Sequence, residues 1–263
     1  MNYKYKVISC SDPGLVRTQN EDHFILPDRI GGDNDAAHIE IYGEYDGGLF
    51  GVFDGMGGYE YGAVASGIAA EVFYRDFRKA IEDDSVTKDE LKELFRTASR
   101  AIIDGIPGTG MAGTTGVILY LSDDHYILQN LGDSRCYRMR GGRLKQLTKD
   151  YTLAEMRVRL GYYEKDSDQY EEDSRLLTQY IGQWDARRTC EPECMDGEVM
   201  VGDCYLLCTD GVYRECGDME IESVIGKIGT GELTLQEGVA CMTEMIMRRG
   251  AEDNLTLILI KVT

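Results

Sequence analysis

Four short acidic motifs lie far apart in this chain: Arg17-Thr18-Gln19-Asn20-Glu21-Asp22, Phe53-Asp54-Gly55-Met56-Gly57-Gly58, Cys208-Thr209-Asp210-Gly211 and Glu252-Asp253-Asn254. Three of them set a carboxylate at the boundary of an apolar run. Val52-Phe53, Tyr205 to Cys208 and Leu255 to Ile260 read as buried strands, so Asp54, Asp210 and Asp253 stand at strand edges rather than over a solvated face. A fold that gathers those edges must hold bare carboxylates together against about 4 kcal/mol of repulsion per pair at ~4 Å and an effective dielectric of ~20. Such a cluster persists around cations. An all-oxygen ligand set selects hard ones, Mg or Mn, over zinc.

The 263 residues suffice for one large domain or two small ones, and no linker-like seam divides them, so the expectation is one domain over 1–263. Lys and Arg number 28 against 47 Asp and Glu, a formal net charge of -19 that argues against nucleic acid or an anionic membrane as partner. No stretch is long and apolar enough to span a bilayer, and Met1 to Lys6 lacks the apolar core of a signal peptide. A cytoplasmic, soluble monomer is expected. Eight cysteines include Cys190-x3-Cys194 and Cys204-x3-Cys208, spaced almost like zinc ligands. The second pair falls inside an apolar strand and the first flanks an apparent loop, which favours reduced structural thiols.

Strands are expected at Tyr5 to Ser9, His23 to Leu26, a hairpin around Ile39 to Tyr45, and Leu49 to Phe53. The period then becomes helical over Gly62 to Glu82, with Val64, Ile68, Val72, Phe73, Phe77 and Ile81 on one face. A second helix starts at Thr87 with Glu90 completing a capping box. Thr114 to Leu121, Tyr126 to Leu131 and Cys136 to Met139 read as an antiparallel meander, turned by Gly141-Gly142 into Leu144 to Leu147. Thr152 to Leu160 reads as a short helix, and the acidic stretch that follows, from Glu164 to Asp173, as a solvated surface loop. Strands return at Glu198 to Val201 and Asp203 to Cys208, a helix runs from Thr234 to Arg249 with Gly250 at its end, and Asn254 to Val262 closes the chain as a strand. Strands in antiparallel runs with helices in separate blocks indicate an α+β sandwich.

Taken in order with Ala112-Gly113-Thr114-Thr115, Asn130-Leu131-Gly132-Asp133-Ser134-Arg135 and Leu177-Thr178-Gln179-Tyr180-Ile181-Gly182, the motifs resemble the metal-dependent protein phosphatases of type 2C, the PPM family, in its bacterial-type branch. The resemblance runs from about Ser9 to Val262. It implies a four-layer αββα sandwich with a binuclear Mn or Mg site in a cleft at one end and a flap over about 150–176. It implies that Asp54 bridges two cations, Gly55 offers its carbonyl to one, and Asp210 and Asp253 bind the other. Glu21 and Asp22 match positions holding metal-bound waters, Arg17 the residue that clamps the substrate phosphate, and Asp133 a ligand of a third, weaker metal. The implied activity is hydrolysis of phosphoserine and phosphothreonine monoesters on protein targets of a serine/threonine kinase, by attack of a hydroxide that the cations generate. An anti-anti-sigma type regulator is a narrower substrate of the same chemistry.

The residues leave other readings open. Asp210-Gly211 is also a plain turn and Asp253-Asn254 a strand cap. Gly55 to Gly58 between strand and helix is a place for a nucleotide phosphate, although its spacing fits neither G-x-G-x-x-G nor a P-loop. A family member that has lost catalysis and acts as a binding module would lack a metal aspartate, and Asp54, Asp210 and Asp253 are all present. Tyr151 stands where relatives commonly have histidine, and Met56 where animal relatives carry one. The segment Asp28 to Gly48 is longer than the resemblance leads one to expect.

Overall fold

Both faces of the central strands are apolar, and this dictates layers on both sides of each sheet. The computed structural model describes residues 3–32, 38–57, 61–82, 86–106, 112–122, 124–165, 167–183 and 191–263, with the side chains of 80–82 excepted. In chain order the strands of the first third are β1 (Tyr5–Asp12), β2 (Asp22–Leu26), β3 (Arg29–Gly31), β4 (Ile39–Tyr45) and β5 (Gly47–Met56), followed by helices α1 (Tyr61–Glu82) and α2 (Lys88–Gly105). Then come β6 (Gly113–Thr114), β7 (Gly116–Ser122), β8 (His125–Leu131), β9 (Arg135–Arg140) and β10 (Arg143–Gln146), and the short helices α3 (Leu153–Arg159) and α4 (Asp168–Asp173). The last third holds β11 (Glu193–Glu198), β12 (Cys204–Cys208), α5 (Asp210–Tyr213), α6 (Asp218–Thr230), α7 (Leu235–Arg249) and β13 (Leu255–Val262).

The strands form two antiparallel sheets, ordered β10-β9-β12-β13-β1-β4 and β11-β8-β7-β5-β2-β3, with β6 paired to the end of β5. Successive side chains of a strand point to opposite faces. In β12 and β13 this sends Tyr205, Leu207, Ile258 and Ile260 into the core between the sheets, against Phe50, Val52 and Leu119. Their neighbours Leu206, Cys208, Leu257 and Leu259 face the other way, onto Ile221, Ile225, Val239 and Ile246 of α6 and α7. On the second sheet Phe53 and Ile118 meet Phe73 and Phe95 of α1 and α2, so the expected αββα sandwich is the observed fold.

Several expectations need correcting. Ile39 to Tyr45 is one strand, β4, paired with β1 at the edge of the first sheet rather than a hairpin. The long segment after Asp28 thus supplies an edge strand to each sheet, β3 and β4, and Glu40 and Glu44 on β4 blunt its open edge. Residues 33–37 of that segment lie outside the described residues. The meander breaks after β8: β9 pairs with β12 and β10 in the opposite sheet. The crossing turns at Gly132, whose φ of +98° suits glycine, and a Cβ there would lie 2.7 Å from Thr115. The strand expected at Glu198 to Val201 lies earlier, at Glu193–Glu198, so Cys194 is on an exposed edge strand and not in a loop. Cys204 and Cys208 are buried, and the described cysteines are free thiols; Cys190 lies outside the described residues, as does Asp166 of the acidic stretch. α6 was not anticipated, although the Glu220 carboxylate accepts the N–H of its N-cap Gly217 at 3.3 Å ahead of buried Ile221, Val224, Ile225 and Ile228. The capping boxes at Thr87 and Thr234 are both formed, and Gly250 closes α7 in the left-handed conformation.

Candidate metal centre and its cleft

The acidic motifs meet because strands of both sheets end at one edge of the sandwich. Asp22 of β2 sits directly opposite Asp54 of β5. Asp210 follows β12, Asp253 precedes β13, and Asp133 lies on the crossing from β8 to β9. Two glycines allow the final approach. A Cβ on Gly55 would stand 2.2 Å from the Gly62 carbonyl oxygen, and one on Gly211 would stand 2.0 Å from that of Asn254. The repeated Asp-Gly pairs therefore serve packing as well as turning: the residue after each carboxylate must be small for the next motif to reach it.

Hydrogen bonds hold this floor. The Asn254 amide donates to the carbonyls of Pro13 and Gln19 at 3.0 and 2.9 Å and accepts the Glu21 N–H at 2.8 Å, pinning the loop that carries Arg17 and Glu21 to the start of β13. The Asp54 N–H donates to Thr115 Oγ1 at 3.0 Å, and its carbonyl accepts from Thr114 Oγ1 at 2.8 Å. Thr209 Oγ1 donates to Asp22 Oδ2 at 2.9 Å.

Arg17, Glu21, Asp54, Gly55, Asp133, Asp210 and Asp253 all line one cleft of about 870 Å³. Asp22 does not; it lies beneath the floor, 1% exposed. Met56 and Gly57 line the cleft as well, while Gly58 is outside the described residues. His23 is turned away from it, buried against α1 with Nδ1 2.9 Å from Ser66 Oγ. The far wall is Tyr170, Glu171, Ser174, Arg175 and Leu177; Glu164, Asp168, Glu171 and Glu172 of the acidic stretch are exposed as expected, but Asp168–Asp173 is helix α4 at the cleft rather than a loop. Its Asp173 is buried, bonded to Arg157 and to the Tyr163 hydroxyl.

Burial pushes the Asp54 carboxyl well above the usual carboxylate range, and the negative charges of Asp22, Asp210, Asp133 and Asp253 push it further. Asp22 and Asp133 are raised for the same first reason, desolvation, offset in Asp22 by the Thr209 hydroxyl and in Asp133 by Arg214. Glu21 is raised by burial and pulled back by Arg17. Such a floor is short of positive charge, and oxygen donors in that state suit hard divalent cations. Two arginines reach in from the sides. Arg17 binds Asp253 through Nε at 3.0 Å and Nη2 at 3.1 Å, and Arg214 binds Asp210 through Nε at 2.7 Å. As the side chains stand, no three acidic, thiol or imidazole groups among the described residues converge closely enough to hold an ion. Arg214 was missed in the sequence, where it follows Asp210-Gly211-Val212-Tyr213 without any motif to mark it.

A family model described as protein phosphatase 2C matches residues 11–157. The serine/threonine protein phosphatase PstP of Mycobacterium tuberculosis is 28% identical over 259 residues, covering 96% of this chain and 44% of that protein. This chain thus spans less than half the length of that relative. The protein phosphatase PhpP of Streptococcus pneumoniae is 27% identical over 262 residues, covering 96% of this chain and 95% of its own length. A solved structure of the catalytic domain of PstP, in complex with 2 manganese ions, superposes with a TM-score of 0.76 at 25% identity, covering 99% of each chain.

Proposed function

The chain belongs to the protein phosphatase 2C family, and from that premise we propose that it is a metal-dependent phosphatase acting on phosphoserine and phosphothreonine in proteins. The observation that carries the reading is the convergence of Asp54, Asp210, Asp253 and Arg17 on one cleft whose carboxylates outnumber the arginines that reach them. Asp54, Asp210, Asp253 and the Gly55 carbonyl would hold two Mn or Mg ions. Bound there, the ions would activate a water for in-line displacement at phosphorus and neutralise the charge that develops on the oxygens.

The chain's own groups do the rest. Arg17, half-exposed and bonded to Asp253 in the cleft lining, has a planar fork suited to two phosphate oxygens. Glu21 lines the same cleft, its backbone N–H held by Asn254. Met56 cannot donate a proton and His23 does not line the cleft, so protonation of the departing serine or threonine oxygen falls to solvent held on the acidic floor. The substrates this reading implies are proteins phosphorylated on serine or threonine, the targets of a serine/threonine kinase.

The test is hydrolysis of p-nitrophenyl phosphate and a phosphothreonine peptide with Mn, with Mg and with EDTA. Turnover with either metal and none after chelation is expected. Turnover that survives exhaustive chelation, or absence of turnover with both metals, overturns the reading.

A further inference from the structure

Arg214 follows α5, and its side chain, about a quarter of it exposed at 26%, folds back along the cleft lining. Its Nε donates to Asp210 Oδ2 at 2.7 Å, and its Nη2 lies 3.4 Å from Asp133 Oδ2. The same guanidinium reaches across to the flap: Nη2 donates to the Ser174 carbonyl at 3.0 Å and Nη1 to Ser174 Oγ at 3.2 Å. One fixed positive charge thus sits between two carboxylates of the floor and the end of α4. Asp133, to which the resemblance gives a third cation, is already held together with Asp210 by a fixed positive charge that would repel one. The third, weaker metal implied by the sequence does not fit these residues. Arg214 takes Asp210 through Oδ2 and leaves Oδ1 available.

We propose that Arg214 is a positioning residue that takes the place of a third cation, neutralising Asp133 and Asp210 while clasping the flap at Ser174 over the cleft. The inference rests on the two-metal reading for its first half and on geometry alone for its second. Arginine suits both tasks. Its charge is permanent and its five donors are fixed in a plane, so one side chain serves the two carboxylates and the backbone carbonyl at once. The flap is itself a folded unit, tied by Arg157 to Asp173 and by a bridge between Thr152 and Leu177. Clasping it at Ser174 therefore sets the position of the whole cleft wall, including Tyr170 and Arg175. A divalent ion bound by Asp133 and Asp210 would supply the charge without that link.

Three proteins test the proposal: wild type, Arg214→Ala and Arg214→Lys. Mn binding is measured by calorimetry, and amide hydrogen exchange over 168–176 is followed without metal. Wild type should bind two ions per chain. Arg214→Ala should bind a third, weaker one that disappears in Arg214→Ala/Asp133→Asn, and its flap amides should exchange at least about tenfold faster. Arg214→Lys keeps the charge and loses the fork, so it should still bind two ions while its flap exchanges faster than wild type. If Arg214→Ala fails to fold, Arg214→Lys still reads the clasp. Three ions on wild type, no added ion in Arg214→Ala, or unchanged flap exchange in both variants would overturn the proposal. If wild type binds no Mn at all, the two-metal reading fails instead, and the exchange measurement still decides the clasp.

Discussion

Asp203 and Asp210 bracket the same strand, β12, and meet opposite surroundings. Asp203, 1% exposed, receives two bonds from Arg140 at 2.7 and 2.6 Å and one from the Met200 N–H at 2.9 Å. Its charge is matched at close range, and the segment around it is a tight connection closed by the Asp203 N–H bonding the Met200 carbonyl at 3.0 Å. At the other end Asp210 joins Asp54, Asp22, Asp133 and Asp253, five carboxylates against the two arginines that reach them. The difference teaches how to separate structural from functional acids in one fold. A buried carboxylate with its own arginine is finished when the chain has folded, while a group of carboxylates that outnumbers its cations still has a ligand to meet.

The largest effect that sharpens this comparison is at the crowded end. Asp54→Asn should lower phosphatase activity by several kcal/mol of transition-state stabilisation, on the order of a thousandfold, through lost metal charge. In the metal-free protein the same change should stabilise the fold. The Asp54 carboxyl is raised above the usual range, so below that raised value the folded chain keeps a proton that the unfolded chain, titrating near ~4, has released. Metal-free stability is therefore lost as pH rises from ~4 through the raised value. Melting scans with EDTA from pH 4 to 8 should show Asp54→Asn gaining on wild type by about 2–4 °C, and saturating Mn should reverse the order. A wild type that melts higher than the variant at pH 8 in EDTA would mean that Asp54 is already compensated.

At the finished end the expectation inverts. Asp203→Asn strands Arg140 and weakens its bonds, so it should cost about 3 kcal/mol, or roughly 6–12 °C in melting temperature, with activity per folded molecule and Mn affinity unchanged. A change in Mn affinity would show that the two ends of β12 are coupled and that the comparison is drawn too sharply. The smallest effect is at His23. His23→Gln should cost about 1 kcal/mol through its altered bond with Ser66, and it should hydrolyse a phosphothreonine peptide and p-nitrophenyl phosphate in the wild-type ratio. A loss confined to the peptide, whose leaving group needs a proton, would make His23 the acid despite its burial against α1.

Much of this was legible because local chemistry and burial agree. β12 is an unbroken apolar run and β13 is apolar but for Thr256 and Lys261, Thr87 and Thr234 with their partner glutamates mark helix starts, and the Asp-Gly pairs sit where strands end. What failed had a common cause. The Ile39–Tyr45 strand and the β8–β9 connection were assigned to their nearest neighbours in sequence, and both join the opposite sheet, a choice that residue pattern does not encode. α6 was overlooked because its N-cap is Gly217, which gives no side-chain signal.

The sequence by itself determined the chemistry available to this protein: oxygen donors for hard cations, an arginine beside them, two layers of apolar strands and the glycines that let motifs approach. Tertiary structure alone decided which acids are matched and which are not. Arg140 and Asp203 are 63 positions apart, Arg17 and Asp253 are 236 apart, and Arg214 and Asp133 are 81 apart. No local pattern pairs residues over such separations; the pairs exist because strand order brings particular ends together, and charge compensation depends on distance in space, falling with separation and with the water between.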